Sequence, residues 1–199
     1  MRPADGGGED TLFLKTPVAK YPTDWSPNGA FVVYHARDER TIYDLWAAPI
    51  DHPDQSRQTE FDEMQGQISP SGRWLAYTSN QSSRFEVFVQ PLPADGRKWQ
   101  VSTEGGSDPK WRADEKEMFY IDSDGRMMSL GLHGGTAFEP GVPRPLFLLR
   151  TIAVGAPYPS AYDVRGDGQR FLVRVLTEEL QTHPLNVLVH WSVPVRAAK

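Results

Sequence analysis

Short runs of alternating apolar and polar residues follow one another along this chain, and the runs recur. Trp25-Ser26-Pro27-Asn28-Gly29-Ala30-Phe31-Val32-Val33-Tyr34 comes back as Ile68-Ser69-Pro70-Ser71-Gly72-Arg73-Trp74-Leu75-Ala76-Tyr77, and more loosely as Trp111-Arg112-Ala113-Asp114-Glu115-Lys116-Glu117-Met118-Phe119-Tyr120. Ser26 to Ser69 is 43 residues, and Ser69 to Arg112 is 43 again. A fourth copy, Val164-Arg165-Gly166-Asp167-Gly168-Gln169-Arg170-Phe171-Leu172-Val173, lies 96 residues beyond Gly72 (at Gly168) where two strict periods predict 86, so about ten residues are inserted before it. A fixed period of this length is the signature of a repeat architecture.

Each unit has a second half. Asp44-Leu45-Trp46-Ala47-Ala48-Pro49-Ile50 matches Glu86-Val87-Phe88-Val89-Gln90-Pro91-Leu92, and Arg126-Met127-Met128-Ser129-Leu130-Gly131-Leu132 follows in the third unit. The alternation is that of strands. In each unit an inner strand runs into the turn Ser26-Pro27-x-Gly29 or Ser69-Pro70-x-Gly72, where proline presets φ and glycine accepts a positive φ. A second strand follows at Phe31 to Tyr34 and Trp74 to Tyr77. A polar turn (Ala36 to Thr41, Ser79 to Arg84), a third strand and a short outer strand near Ser56 to Glu60 or Lys98 to Ser102 complete the unit.

A unit of about 40–45 residues with four strands has the size of a propeller blade. The expected fold is therefore all-β, a β-propeller segment of about four four-stranded blades plus the end of a preceding blade. The boundaries expected are 1–17 for the blade end, 18–62, 63–105 and 106–149 for three blades, 150–160 for an inserted loop, 161–193 for the last blade and 194–199 for a tail. Met1 to Thr16 reads as the tail of a third strand, a hairpin turn and an outer strand, as though the chain were cut from a longer protein. The aromatic residues are expected to pack between neighbouring blades, and open blade edges to invite self-association.

Composition narrows the function classes. Hydrophobic residues at 39% and charged residues at 24% suit a folded chain, and 17 Gly with 17 Pro suit many tight turns. A net charge of −5 offers no basic field for nucleic acid or anionic lipid, so neither is an expected partner. No run approaches the roughly 18 apolar residues of a membrane span, and the Gly-rich, acidic start is unlike a signal peptide. With no cysteine there is no thiolate chemistry and no disulfide.

Candidate chemistry is sparse. Asp122-Ser123-Asp124-Gly125 has the alternating carboxylates that open a calcium loop, but later acidic ligands are missing, and a hairpin turn is the favoured reading. Asp122 and Asp124 are thus the only metal candidates, and no cofactor is expected. The histidines at 35, 52, 133, 183 and 190 lack a paired zinc spacing. No Gly-x-Ser-x-Gly elbow is present, so Ser26 and Ser69 are read as turn residues together with Pro27, Gly29, Pro70, Gly72, Trp111, Asp167 and Gly168, and no catalytic residue is assigned. Two stretches break the repeat and are candidate exposed recognition loops: Glu60-Phe61-Asp62-Glu63-Met64 and Arg150 to Ser160.

The repeated Ser-Pro-x-Gly turns resemble the TolB-type, WD-repeat-like blades of bacterial proteins over nearly the whole chain. Ser69 to Asn80, Phe85 to Pro93, Lys98 to Gly106 and Asp108-Pro109-Lys110-Trp111, with Pro143-Arg144-Pro145-Leu146-Phe147 and Leu185-Asn186-Val187-Leu188-Val189-His190-Trp191, are similar to the C-terminal propellers of bacterial receptor-type serine/threonine protein kinases, common in acidobacteria. That resemblance implies a non-catalytic sensor domain on the far side of the membrane from its kinase, binding a protein or small-molecule ligand. It transfers no catalytic residue, because no kinase motif lies in this chain. The third unit departs from the pattern: Ala113-Asp114-Glu115-Lys116 stands where a glycine turn is expected, so a turn of different shape is anticipated there. Two rivals remain, a periplasmic TolB-like scaffold and the propeller of a prolyl-oligopeptidase-like peptidase without its catalytic domain.

Overall fold

The computed structural model describes residues 1, 7–37, 42–55, 57–58, 62–133, 137–149 and 160–174. Four antiparallel sheets follow one another along the chain. The first has the order β1 (Lys20–Trp25), β2 (Phe31–Arg37), β3 (Tyr43–Pro49), β4 (Arg57–Gln58), with a short 3₁₀ turn at Pro53–Gln55. The second repeats it as β5 (Glu63–Ile68), β6 (Trp74–Ser79), β7 (Glu86–Pro91), β8 (Trp99–Gln100). The third comprises β9 (Ser107–Trp111), β10 (Glu117–Ile121) and β11 (Arg126–His133), and two short strands share the outer edge of β11. These are β12 (Glu139–Pro140) against Leu132 and His133, and β13 (Arg144–Leu148) against Arg126 to Ser129. The fourth is the pair β14 (Tyr162–Val164) and β15 (Phe171–Val173). The chain is a partial β-propeller.

Alternation explains how the sheets stack. Along β6, Leu75 and Tyr77 join Val33 and Leu45 of the first sheet, whereas Trp74 and Ala76 join Met118, Tyr120 and Leu130 of the third. Along β10, Met118 and Tyr120 face back to the second sheet while Phe119 and Ile121 face on to Ala161, Tyr162 and Phe171. A strand has period two, so a sheet sandwiched between neighbours is buried on both faces. Accordingly all six residues of β6 and of β7 are buried.

Several expectations are revised. Four four-stranded sheets were anticipated; the third has five strands, because its outer strand is split, and the fourth has two among the described residues. β2 runs on through Ala36 and Arg37, where a polar turn was expected to begin, because Ala36 still packs with Tyr34 and Ala48. The strands expected in Met1 to Thr16 do not form among the described residues. Thr11 N–H donates to Met1 O at 2.8 Å, but Phe13 and Leu14 then lie against Tyr34, Trp46 and Ala48 on the face of the first sheet turned away from the second. Asp62, Glu63 and Met64, taken as part of an exposed recognition loop, are buried, since Glu63 opens β5 and Asp62 accepts the Tyr43 N–H at 3.0 Å. Residues 59–61, the inserted loop at 150–159 and the end of the chain from 175 onward lie outside the described residues.

Candidate binding site

The residues singled out as the repeat motif form one structural unit. In all four sheets the first hairpin turn closes with the same bond: the N–H of Gly29, Gly72, Glu115 and Gly168 donates to the carbonyl of Ser26, Ser69, Arg112 and Arg165 at 2.8, 2.8, 3.0 and 2.8 Å. One position before the closing residue, the side chains of Asn28, Ser71, Asp114 and Asp167 accept the N–H two residues on, the local bond that favours such residues in turns. Ser26 and Ser69 add a hydroxyl that accepts the N–H of Phe31 and Trp74. Pro27 and Pro70 follow them as the first central residues of their turns.

The third turn corrects the sequence reading. Glu115 adopts φ 56° and so gives the turn the same shape as its glycine counterparts, with φ between 71° and 76°. A residue with a Cβ in this region costs about 1–2 kcal/mol. The carboxylate offsets that cost by reaching the neighbouring turn, where it accepts the Ser71 N–H and pairs with Arg73 at 3.4 Å. Burial raises its pKa, but the hydrogen bonds from Ser71 and Arg73 prevail and hold it below the usual range.

These contacts also bring the turns to one end of the stack. Glu115 joins the second turn to the third, and the Ala113 N–H donates to Gly166 O at 3.0 Å, joining the third to the fourth. Beside them, between the second and third sheets, opens a cavity of about 170 Å³. Its apolar wall is Trp74, Trp111 and Phe138, and its rim includes Lys116, His133 and Glu139. Trp111 is fixed from behind, its Nε1–H donating to Gln67 O at 3.0 Å.

A second set of polar residues lies on the inner strands and ties each sheet to the next. Gln65 and Asp108 hold left-handed conformations (φ 58° and 57°) within bulges of β5 and β9. Gln65 Oε1 accepts the N–H of Asp108 at 2.8 Å, 43 residues on. Asp108 Oδ2 in turn accepts the N–H of Ala161 at 2.7 Å, 53 residues on, which is the period plus the insertion. Ser160, the last residue of the stretch proposed from sequence as a recognition loop, donates its hydroxyl to both Asp108 oxygens at 2.8 Å. Burial pushes the Asp108 carboxyl up, opposed by the Ser160 bond and the nearby charge of Lys110. In β1, Asp24 Oδ2 accepts the Ile68 N–H at 2.7 Å. Buried carboxylates supplied with such donors tether one sheet to the next.

Asp122 and Asp124 sit in the β10–β11 hairpin. Asp122 Oδ1 accepts the N–H of Asp124 and of Arg126 at 2.9 and 2.8 Å, and the Arg126 guanidinium pairs with Asp124. The carboxylates are thus engaged by their own turn and by a cation. Among the described residues no three His, Asp or Glu side chains are placed to hold a metal ion. Sequence reasoning missed Glu115 as a clasp, Gln65 and Asp108 as latches, and the ring of Phe138. The 43-residue offset between Gln65 and Asp108 was the signal that would have found the latches. Phe138 belongs to no repeated pattern.

No protein-family model and no curated protein sequence matches this chain. Solved structures do share its fold. It is similar to TolB from Acinetobacter baumannii at 15% identity and a TM-score of 0.58, over 88% of this chain and 42% of that one. A protein assigned as TolB from Agrobacterium tumefaciens gives 18% identity and a TM-score of 0.55 over 72% of this chain and 55% of that one. A protein assigned as a 6-phosphogluconolactonase from Bacteroides uniformis gives 15% and 0.52, over 87% and 56%. The chain therefore spans about half the length of these β-propeller relatives in fold.

Proposed function

We propose that this chain is a non-catalytic binding domain that recognises a protein or small-molecule ligand at the end where its four turns gather, and that it is the extracytoplasmic sensor part of a bacterial receptor-type serine/threonine kinase. The observation that supports binding is the cavity between the second and third sheets, walled by aromatic rings and rimmed by side chains of both charges. Concave, mostly apolar sites with a few polar groups are where ligands are held. Outside it, the buried polar side chains of Gln65 and Asp108 join one sheet to the next. Attachment to a kinase is supported by the resemblance of Ser69 to Asn80, Phe85 to Pro93, Lys98 to Gly106, Pro143 to Phe147 and Leu185 to Trp191 to kinase-linked propellers.

The test is genetic and then biochemical. The reading frame upstream of Met1 is expected to encode a kinase domain followed by one apolar span, and deleting the propeller from that protein is expected to change its autophosphorylation. A frame with no kinase, or phosphorylation that ignores the deletion, sinks the sensor role. The likeness in fold to two TolB structures favours a second reading, a free scaffold in protein assemblies of the envelope. A cleavable signal peptide and further blades upstream would decide for it.

A further inference from the structure

Four rings meet where the second and third sheets end on the turn side, and their angles keep them from filling the space. Trp74 stands edge-on to Trp99, with centroids 5.6 Å apart and planes at 87°. Phe138 is tilted against both, at 5.5 and 5.4 Å, and edge-on to Trp111 at 6.4 Å. The cavity lined by three of these rings, Trp74, Trp111 and Phe138, has about 170 Å³, close to the volume that accepts a single benzene ring and smaller than the several hundred Å³ of a drug-sized site. Trp74 and Phe138 are only 7% and 6% exposed, so neither presents an open face on which a sugar ring or a base would stack. What fits is a compact side chain entering end-on.

The rim says what should flank that side chain. Arg73 is paired with Glu115, and Asp114 with Arg112. Lys116 and Glu139, both exposed, have no ion-pair partner among the described residues. An exposed ammonium and an exposed carboxylate at the mouth of an aromatic slot, with the Asp114 charge near Lys116, complement a segment carrying an acid and a base about an aromatic residue.

Resting on the binding-domain reading above, we infer that this cavity is an anchor site for a peptide segment of a partner protein: one aromatic side chain enters between Trp74, Trp111 and Phe138, with an acidic neighbour facing Lys116 and a basic neighbour facing Glu139. The area sealed off is small, so a single anchor binds weakly, and further contacts of the partner outside the slot add the rest.

The experiment titrates the full chain with the capped peptides acetyl-Glu-Phe-Lys-amide and acetyl-Glu-Ala-Lys-amide, following the protein's tryptophan fluorescence, to which neither peptide contributes. The phenylalanine peptide is expected to saturate and to bind roughly tenfold tighter than the alanine peptide. Ala137→Phe, at an exposed rim position, should fill the slot and weaken binding roughly tenfold or more without changing the urea midpoint. Lys116→Glu should weaken it about threefold at low salt, and the difference should fade at high salt. Equal affinity for the two peptides, full binding by Ala137→Phe, a response to maltose in place of peptide, or no saturation up to about 10 mM would each overturn the anchor site. None of those results touches the sensor reading, which stands or falls by the upstream gene and the phosphorylation assay.

Discussion

The first inter-sheet interface and the second are built from the same repeat and packed by different means. Between the first and second sheets the contacts are mainly aliphatic, with Val33 and Leu45 against Ile68, Leu75, Tyr77 and Phe88. The strands come so close that a Cβ on Gly66 would sit 2.7 Å from Val33 Cγ1 and 2.8 Å from Leu45 Cδ1. Between the second and third sheets Trp74, Trp99, Trp111 and Phe138 stand on edge, and a cavity remains at the turn end. Flexible aliphatic chains settle into close packing, whereas rigid rings meeting at steep angles leave angular space. A repeat can thus keep its backbone and still place a ligand-sized gap at one interface.

Truncating the ring at the centre of the second interface should have the largest effect. Phe138→Ala is expected to lower stability by roughly 3–4 kcal/mol in urea unfolding, since the site already contains a cavity and collapses poorly. A loss below about 1 kcal/mol would mean the rings are not what holds these two sheets. Acid should act on the first interface instead. His35 shares the face of Val33, is stacked on Tyr21 and meets the edge of Tyr43, and burial lowers its pKa to about 4. Between pH 6.5 and about 4 the unfolded chain therefore binds a proton that the folded chain refuses, and stability falls as pH falls across that window, by about 2–3 kcal/mol. Burial raises the carboxyls of Asp24, Asp62 and Asp108, so their protonation in the folded state opposes the loss at its acid end. Amide exchange in β2 should quicken before that in β10, and His35→Gln should flatten the pH profile; uniform loosening would erase the contrast between the interfaces.

A single methyl sharpens the comparison further. Gly66→Ala is expected to cost about 2 kcal/mol, because Val33 and Leu45 are held by neighbours on every side, and unchanged stability would show that the close approach relaxes freely. The smallest expected effect is at the turn end of the second interface. Glu115→Ala keeps the strained φ and loses the bonds to Ser71 and Arg73, for about 1–2 kcal/mol, whereas Glu115→Gly loses the bonds and the strain together and should stay within about 0.5 kcal/mol of the parent. If the two variants unfold at the same midpoint, the clasp does not offset the strain.

The sequence made the fold legible wherever two copies of a pattern could be laid over each other. Ser26 and Ser69 mark equivalent turns, and the alternation in Trp74 to Tyr77 places Trp74 and Tyr77 on opposite faces of their sheet. It misled where a residue answers to a neighbour in space. Glu115 looked like a broken turn because its compensation lies in Ser71, 44 residues away. Asp62 and Glu63 looked like an exposed acidic loop because acidic residues are usually solvated, yet Asp62 serves the backbone of Tyr43. The cavity was not legible, since its size depends on ring angles that no pattern of residue types encodes.

The latches on the inner strands run in one direction. Gln65 receives an N–H from the sheet that follows, and Asp108 does the same, but the corresponding position in β1 is Pro22, which has no N–H to give to anything before it. Exchange of modules between such proteins is therefore constrained at each joint. A sheet grafted into another propeller takes its acceptor along and leaves the donor behind, so the acceptor is met only if the new neighbour offers an amide at that level. Spliced after a unit that expects such an amide, the first sheet would leave that unit's acceptor unmet, whereas the second or third could be read straight through.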